Sequence, residues 1–195
     1  MPILILGAGG HGRAVCEAAR DAGMDVRGFL DDRGPLPDML GLRVLAADGF
    51  TGGALLIALG GNAARLAAAA RFAAELPILF HPSAIRAGSA ELAAGVVVMP
   101  RAVLGALARI GRLALINTGA IIEHDVSVGE GAHVGPGAVL CGGVSVGERA
   151  LVGAGAVIAP NIRVGAGAVV GAGAAVLADV AEGARVGGVP ARLLK

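Results

Sequence analysis

The chain is almost without aromatic side chains, since its 195 residues include no Trp, no Tyr and only four Phe. Because 55% of the residues are hydrophobic, a sizeable core must be built from Val, Ile, Leu and Ala. Gly accounts for 34 residues, far above its usual share of roughly 7%. This composition favours thin, regular and closely packed layers over a bulky globular core.

Other features are scarce as well, and each absence argues against a class of protein. The net charge is +1 and there is no run of Lys or Arg, which argues against nucleic acid as the main partner. The two cysteines, Cys16 and Cys141, are far apart, so we expect no disulfide scaffold and a reducing compartment. No uncharged apolar stretch of roughly 18 residues has a helix-forming composition, and no signal peptide is visible. We therefore expect a cytoplasmic protein that is not inserted in a membrane.

Residues 1–80 read as a small Rossmann-like α/β domain. Apolar strands are predicted at 2–6, 26–30 and 54–59, with a Pro/Gly-rich loop near residues 34–37. Ala-rich helices are predicted at 11–22 and 63–74, the first of them ending at Gly23. Strands that alternate with helices predict a parallel sheet with right-handed crossovers.

From Leu92 onward the sequence follows a strict six-residue period, so residues 81–195 form a second predicted domain. Fifteen consecutive large aliphatic residues keep this phase, and an Ala, Val or Ile follows each of them four positions later. Such a period predicts a hexapeptide β-helix with three hexads in each triangular coil. Fifteen hexads make about five coils and a prism roughly 24 Å tall. Glycines that often follow the large aliphatic residue are expected to supply backbone freedom at the corners. The fifteen residues are Leu92, Val98, Leu104, Ile110, Ile116, Ile122, Val128, Val134, Leu140, Val146, Val152, Ile158, Val164, Val170 and Val176.

Polar residues interrupt this apolar repeat most clearly between Asn117 and Asp125, where Glu123-His124-Asp125 are adjacent, with His133 nine residues after His124. Neither histidine is at an inward hexad position, so both imidazoles should project from the prism. A carboxylate beside an imidazole orients the ring and stabilises its protonated form, which suits a general base acting on an attacking amine or hydroxyl. The alternative is a solvated surface histidine between two solvated acids.

A glycine-rich turn lies at the start of the chain, where residues 7–12 read GAGGHG between a strand and a helix. With Asp31 further along, this fits a dinucleotide site or an NAD-dependent enzyme. The diphosphate of a nucleotide sugar at a helix N-terminus would fit the same turn. A tight turn without a ligand is the third possibility.

A nucleophilic cysteine and a metal site are both weaker interpretations of the repeat. Cys141 lacks an evident orienting group, and a Cys in place of Gly or Ala is usually just small and apolar. Some trimeric β-helix enzymes bind zinc with three histidines, but the repeat has only His124 and His133, and His81 precedes it. We therefore expect no metal.

The whole chain resembles bacterial sugar acyltransferases of the NeuD/PglD type. Residues 116–158 carry the most specific part, with IEHD and a second His nine residues further on. The opening ILGAGGHGR, the FLDD after the first helix, ALGGN, HPSA and the closing GVPAR fit as well. This resemblance implies a homotrimer of left-handed β-helices, each with a small N-terminal α/β domain that holds a sugar nucleotide.

The resemblance also implies roles for individual residues. His124 would be the general base with Asp125, a position where family members also carry Glu, as its partner. Acetyl-CoA would lie between two prisms and be contacted by His133, Asn117, Gly142 and Gly143. The tail at residues 186–195, which includes Arg192 and Lys195, would close over the cofactor or reach its phosphates. The nucleotide sugar would be held by Gly9, Gly10, His11, Gly12, Asp31, Asp32, Gly60 and Asn62.

The function expected from this resemblance is acetyl-CoA-dependent N-acetylation of a nucleotide-linked 4-amino-4,6-dideoxy sugar. UDP is favoured as the nucleotide and GDP is the second choice. An O-acetyltransferase acting on sialic acid or another sugar hydroxyl is the alternative within the same class. A non-catalytic sugar-nucleotide-binding scaffold is the alternative from another class.

Overall fold

A computed structural model describes residues 1–194 and divides the chain into an α/β part and a β-solenoid. The α/β part contains β1 (Pro2–Leu6), α1 (Gly10–Asp21), β2 (Asp25–Asp31), β3 (Leu36–Met39), β4 (Leu42–Ala46), a short 3₁₀ turn (Ala47–Gly49), β5 (Ala54–Ile57) and α2 (Asn62–Arg71). The predicted strands and helices at these places are confirmed, with their ends shifted by up to three residues.

The sheet of the α/β part has the order β3-β4-β2-β1-β5. Strands β4, β2, β1 and β5 are parallel, as expected for strands joined by crossovers. The predicted loop near residues 34–37 was wrong in part, because β3 and β4 form an antiparallel hairpin there. Gly41, with φ at +73°, forms the turn of this hairpin, and the Pro/Gly-rich composition hid its edge strand.

Two-residue strands β6 to β22 build the solenoid. In chain order they are Leu79–Phe80, Ile85–Arg86, Glu91–Leu92, Val97–Val98, Val103–Leu104, Arg109–Ile110, Leu115–Ile116, Ile121–Ile122, Ser127–Val128, His133–Val134, Val139–Leu140, Ser145–Val146, Leu151–Val152, Val157–Ile158, Arg163–Val164, Val169–Val170 and Ala175–Val176. β23 (Arg185–Gly187) continues the solenoid, and β24 (Arg192–Leu193) pairs antiparallel with it.

Every third strand belongs to the same face of a triangular prism. Face I begins at β6, face II at β7 and face III at β8. Paired strands are parallel and 18 residues apart, as in Leu115 opposite His133, so three hexads make one coil. The second residue of most strands points inward and is buried with the small residue four positions later. The result is the predicted left-handed β-helix.

The solenoid begins one coil earlier than the aliphatic period indicated. Leu79–Phe80 and Ile85–Arg86 pair with the second coil, which gives about six coils in place of the predicted five. Phe80 and Arg86 occupy the first two of the three inward-phase positions in this first coil, and Leu92 occupies the third. Because neither Phe80 nor Arg86 is aliphatic, the sequence pattern does not reach them.

The glycines directly after the inward residue have a different role from the one expected. The left-handed corner conformation falls three residues after the inward aliphatic residue, as at Asp125 with φ at +59°. The glycine directly after the inward residue is needed for close approach between coils. A Cβ at Gly129, for example, would lie 2.6 Å from the backbone nitrogen of Glu148 in the next coil.

The α/β part packs on the first coils of face I. Leu79, Val97 and Leu115 of that face share a buried core with the side chains of the sheet. His81 links the two parts, since its Nε2 lies 3.1 Å from Asp21 at the end of α1 and its Nδ1 accepts the N–H of Ser83. None of the helices within residues 1–194 is long and apolar enough to cross a membrane.

Candidate active site

His124 lies in the turn that joins face II to face III. Its Nδ1 is 2.8 Å from Oδ2 of Asp125, and its side chain is 64% exposed. Because a carboxylate only accepts hydrogen bonds, Nδ1–H is assigned as the donor, and Nε2 keeps a free lone pair. Asp125 reaches the ring from the left-handed corner position, a conformation that Asp tolerates better than most residues. An oriented imidazole with a free Nε2 can accept a proton from a bound ligand.

Gly142 and Gly143 stand one coil above this pair. A Cβ at Gly142 would lie 2.6 Å from Nε2 of His124, so the absence of a side chain makes room for the imidazole. Gly143 has φ at +72°, and its N–H donates to the carbonyl oxygen of His124 at 3.0 Å. Two of the residues expected to bind the cofactor therefore adjoin His124, Gly142 at its ring and Gly143 at its backbone carbonyl.

His133 is on face I and is partly buried under the α/β part. Its Nε2 is 3.1 Å from Nδ2 of Asn117, and Oδ1 of Asn117 accepts the N–H of Thr118 at 2.8 Å. The Thr118 contact orients the amide so that its NH₂ group donates to His133. The imidazole is therefore assigned as neutral, with Nε2 as the acceptor and the proton on Nδ1.

Burial lowers the pKa of His133 to about 4, with further contributions from the positive charge of Arg65 and from His11. Burial, followed by the Arg65 charge, also lowers the pKa of His11. These two imidazoles lie where the glycine-rich turn meets face I, and both are neutral near pH 7.

This neutrality predicts a pH dependence of stability. The unfolded chain binds a proton at His133 near pH 6.5 and the folded chain only near pH 4, so stability is present above pH 6.5 and is lost as pH falls towards 4. We expect the free energy of unfolding to decrease by about 2 kcal/mol between pH 7 and pH 5 from this group.

Denaturant unfolding at fixed protein concentration measures this decrease, with His133→Gln as the matched variant. The variant should lose distinctly less stability over the same interval, because glutamine does not titrate. Equal slopes for the two proteins would contradict the assignment.

His124 and His133 do not meet within one chain. His133 projects from the fourth strand of face I, whereas His124 lies in the turn between faces II and III. In the described part of the chain, the side chain of His124 forms a hydrogen bond with Asp125, whereas that of His133 forms one with Asn117. A site that uses both histidines therefore needs two chains.

The glycine-rich turn forms one wall of a cleft of about 400 Å³ at the carboxyl ends of the parallel strands. The predicted residues that line it are Gly9, Gly10, His11, Gly12, Asp31, Asp32 and Gly60. Gly12 is required for packing, because a Cβ there would overlap the carbonyl oxygen of Gly7. A cleft at this edge of a sheet, beside a helix N-terminus, is typical of phosphate-containing ligands.

Asp31 and Asp32 have different surroundings in the cleft. Asp31 is 7% exposed and is held by the side chain and N–H of Arg33 and by the N–H of Ala8. The Arg33 side-chain hydrogen bonds hold the pKa of Asp31 well below its usual range. Asp32 is exposed and pairs with Arg71 at 2.6 Å. Sequence reasoning missed Arg33, although it directly follows the acidic pair.

Asn62 joins the two parts of the protein and does not line this cleft. Its Nδ2 donates to the carbonyl oxygens of Arg149 and Ala150, and its Oδ1 accepts from Arg65. Arg65 was also missed, because one Arg in an Ala/Arg helix gives no sequence signal of burial. It is only 2% exposed.

Two further expectations concern the tail and metal binding. β24 folds back on β23, which places Arg192 beside the end of the solenoid, while Lys195 lies outside the described residues. Within residues 1–194, no three His, Cys, Asp or Glu side chains are grouped to hold a metal ion.

Comparisons with known proteins extend over the whole chain. The family description "PglD N-terminal domain" matches residues 2–72, and hexapeptide-repeat transferase descriptions match residues 125–160 and 143–178. A variant of perosamine N-acetyltransferase from Caulobacter crescentus, solved with CoA and GDP-perosamine, is 36% identical with a TM-score of 0.95. The match covers 100% of this chain and 97% of that one.

Two other solved structures are similar over nearly their full length. The acetyltransferase domain of PglB from Neisseria gonorrhoeae, solved with acetyl coenzyme A, is 33% identical, with 99% and 98% coverage and a TM-score of 0.93. WeeI from Acinetobacter baumannii is 25% identical, with complete coverage of both chains and a TM-score of 0.93. A comparison with curated protein sequences gives no match.

The left-handed hexapeptide β-helix, with an imidazole–carboxylate pair in one of its turns, defines an acyltransferase of the hexapeptide-repeat class. The chain belongs to the NeuD/PglD-type family of nucleotide-sugar acyltransferases. This assignment to an enzyme family removes the non-catalytic scaffold as an alternative.

Proposed function

We propose that the protein transfers the acetyl group of acetyl-CoA to the amino group of a nucleotide-linked 4-amino-4,6-dideoxy sugar, with His124 as the general base. The observation that carries this proposal is the 2.8 Å contact between His124 Nδ1 and Asp125, which leaves Nε2 free at an exposed corner beside Gly142. Perosamine N-acetyltransferase and the PglB domain, solved with CoA or acetyl coenzyme A, support the choice of acyl donor.

The chemistry needs one proton acceptor and no covalent enzyme intermediate. The amine nitrogen bonds to the thioester carbonyl carbon, while Nε2 of His124 takes a proton from that nitrogen. The carbon–sulfur bond then breaks, and the thiolate of CoA leaves and regains a proton. The Asp125 carboxylate stabilises the imidazolium formed in between and keeps its ring oriented.

A homotrimer is part of this proposal, and the outer surface of face II supports it. The outward residues of that face are all aliphatic, with Ile85 64% and Val157 44% exposed, and they form one continuous column. The column is Ile85, Val103, Ile121, Val139, Val157 and Ala175. The outward residues of face III are polar instead: Glu91, Arg109, Ser127, Ser145 and Arg163. An exposed apolar face beside a polar one marks a protein interface, and another copy of the chain is the occupant that we propose.

Burying face II around a threefold axis would also complete the site. The two edges of this face are the turn with His124 and the turn with Asn117, whose side chain contacts His133. A threefold arrangement brings the first edge of one chain next to the second edge of its neighbour. His124 and Asp125 would then face His133 of the partner subunit across a groove that receives acetyl-CoA.

The nucleotide sugar is placed in the cleft of the glycine-rich turn. The diphosphate would accept hydrogen bonds from the N-terminus of α1, and Arg33 offers a positive charge at the rim. The sequence resemblance favoured UDP, but the perosamine N-acetyltransferase was solved with GDP-perosamine. GDP-perosamine is therefore the first substrate to test, and UDP-linked 4-amino sugars are the second.

The test is a thiol-release assay with acetyl-CoA and a panel of GDP- and UDP-linked 4-amino sugars together with their 4-hydroxy counterparts, with product mass measured. A mass increase of one acetyl group on the amine of one panel member is the expected result. Acetylation only of a sugar in which a hydroxyl replaces the 4-amino group would favour O-acetylation. Absence of turnover with every amino sugar would contradict the proposal.

Asp32→Ala is expected to weaken nucleotide-sugar binding about tenfold and to leave the affinity for acetyl-CoA nearly unchanged. The carboxylate lines the cleft and is exposed, so its removal takes away a ligand contact without disturbing a core. Calorimetric titration of each ligand measures both affinities. Asp25→Ala is the matched control, because Asp25 forms a similar exposed pair with Arg27 on the same strand. An equal loss for both ligands would disprove this division between the two parts.

A further inference from the structure

Arg65 is the largest fully buried side chain of the described residues, although it is charged. It projects from α2 into the junction between the cleft and face I. Its Nε donates to the carbonyl oxygen of Leu113 at 2.8 Å, and its Nη2 donates to that of Gly131, also at 2.8 Å. These two carbonyls belong to successive coils of the solenoid, so one guanidinium fixes α2 to both.

The same guanidinium also holds the loop that closes the nucleotide cleft. Its Nη1 donates to the carbonyl oxygen of Leu59 at 3.0 Å, and its Nη2 donates to Oδ1 of Asn62 at 3.1 Å. Leu59 lines the cleft beside Gly60. Arg65 therefore contacts a loop that lines the cleft in one part and the coils next to His133 in the other.

The charge of Arg65 is not neutralised where it lies. Every acceptor that the guanidinium contacts within residues 1–194 is an uncharged carbonyl or amide oxygen. The positive charge of Arg65 therefore influences the titratable groups around it. Burial lowers the pKa of Arg65 to about 10, which still leaves it protonated near pH 7. The positive charge of Arg65 contributes to lowering the pKa of both His133 and His11.

The hydrogen bonds of Asn117 already require a neutral His133, with its proton on Nδ1. A positive charge beside the ring opposes protonation of the other nitrogen, so it acts in the same direction. Both influences leave Nδ1–H as the single donor of His133 towards a ligand.

We propose that Arg65 is a positioning residue that ties the nucleotide-sugar cleft to face I and fixes His133 as a neutral Nδ1–H donor for the acyl donor. This rests on the proposed function for the role of His133 with acetyl-CoA. The groups that face His133 are Arg65 from α2 and His11 from α1, and in the proposed trimer also the partner's His124 and the partner's Asp125. Arg65 acts through His133 and touches no reacting atom.

The direct test is nitrogen NMR of histidine-labelled, full-length protein, with the His133 signal assigned by its loss in His133→Gln. Wild-type protein should show the Nδ1–H tautomer and no protonation of His133 at pH 6. Arg65→Met should raise the titration midpoint of His133 by about one unit or more, and Arg65→Lys, which keeps the charge, should raise it less. Arg27→Met is the control at an exposed arginine and should leave the midpoint unchanged.

Kinetics separate this role from simple support of the fold. If the midpoint in Arg65→Met rises from about 4 by about one unit, kcat/KM for acetyl-CoA should fall about twofold from pH 8 to pH 5 beyond any fall in wild type. A merely structural loss would lower kcat/KM equally at both pH values, and that result would overturn the proposal.

The NMR measurements decide the proposal even where activity does not. An Nε2–H tautomer or a charged His133 in wild-type protein at pH 6 would overturn it, even if Arg65→Met fails to assemble. If the NMR results hold but His133→Gln leaves the KM for acetyl-CoA unchanged, the coupling of Arg65 to His133 stands and the acyl-donor role of His133 fails.

Discussion

His124→Ala is expected to lower kcat about 10²–10⁴-fold at saturating substrates, the usual contribution of a general base. The imidazole is 64% exposed, its one side-chain hydrogen bond within residues 1–194 is with Asp125, and the ring occupies the space left open at Gly142. Its removal therefore takes away the proton acceptor without removing core packing. Steady-state kinetics with both substrates saturating measures the effect.

The loss should lie at the smaller end of this range if the sugar amine is already partly deprotonated when it binds. Asp125→Asn is the companion variant, because it keeps a side chain of the same size next to Nδ1 but removes the negative charge. It should reduce kcat less than His124→Ala does, since the base remains and only its support is weakened.

Circular dichroism, sedimentation and binding of both ligands serve as controls for these variants. His124→Ala should match wild type in all three measurements. A protein that folds, assembles, binds both ligands and still turns over at the wild-type rate would remove the reason for assigning chemistry to this residue.

The solenoid was predictable because its period is imposed by geometry. Each coil repeats after 18 residues, so every inward position selects a large aliphatic residue such as Ile122 or Leu140, and the pattern persists through the whole solenoid. The predicted positions of strands failed where local chemistry departs from such a rule. Phe80 replaces an aliphatic residue in the first coil, and in the α/β part the edge strand β3 of the β3–β4 hairpin buries little.

The candidate site was predictable in its residues but not in its arrangement. His124 and His133 stood out because the repeat otherwise avoids polar side chains. Their positions on different sides of the prism depend on which face each hexad belongs to. The six-residue period alone does not give this assignment, which requires the geometry of the coil. Arg65 gave no signal, since its burial results from docking of α2 against the solenoid, a contact between residues that are 48 to 67 positions apart.

Mixing two variants that are each impaired is expected to restore activity if the site lies between subunits. His124→Ala chains keep His133, and His133→Ala chains keep His124, so a mixed trimer can contain a site with both histidines. When the two chains are co-expressed in equal amounts, about a quarter of the sites should be intact, because each site draws one histidine from each of two neighbours at random. Activity measured with acetyl-CoA below its KM should therefore recover to about a quarter of the wild-type value.

The matched control is co-expression of His124→Ala with the double variant His124→Ala/His133→Ala, which can form no intact site and should stay inactive. A second control uses face II, where Ile121→Asp places a charge in the aliphatic column and should prevent assembly and recovery together. If both histidines acted within one chain, every mixed trimer would contain only damaged sites, and the mixture would remain as inactive as its components. Recovery that survives loss of the trimer on sedimentation would equally contradict a site shared across face II, because the two histidines of a single chain lie on different sides of the prism.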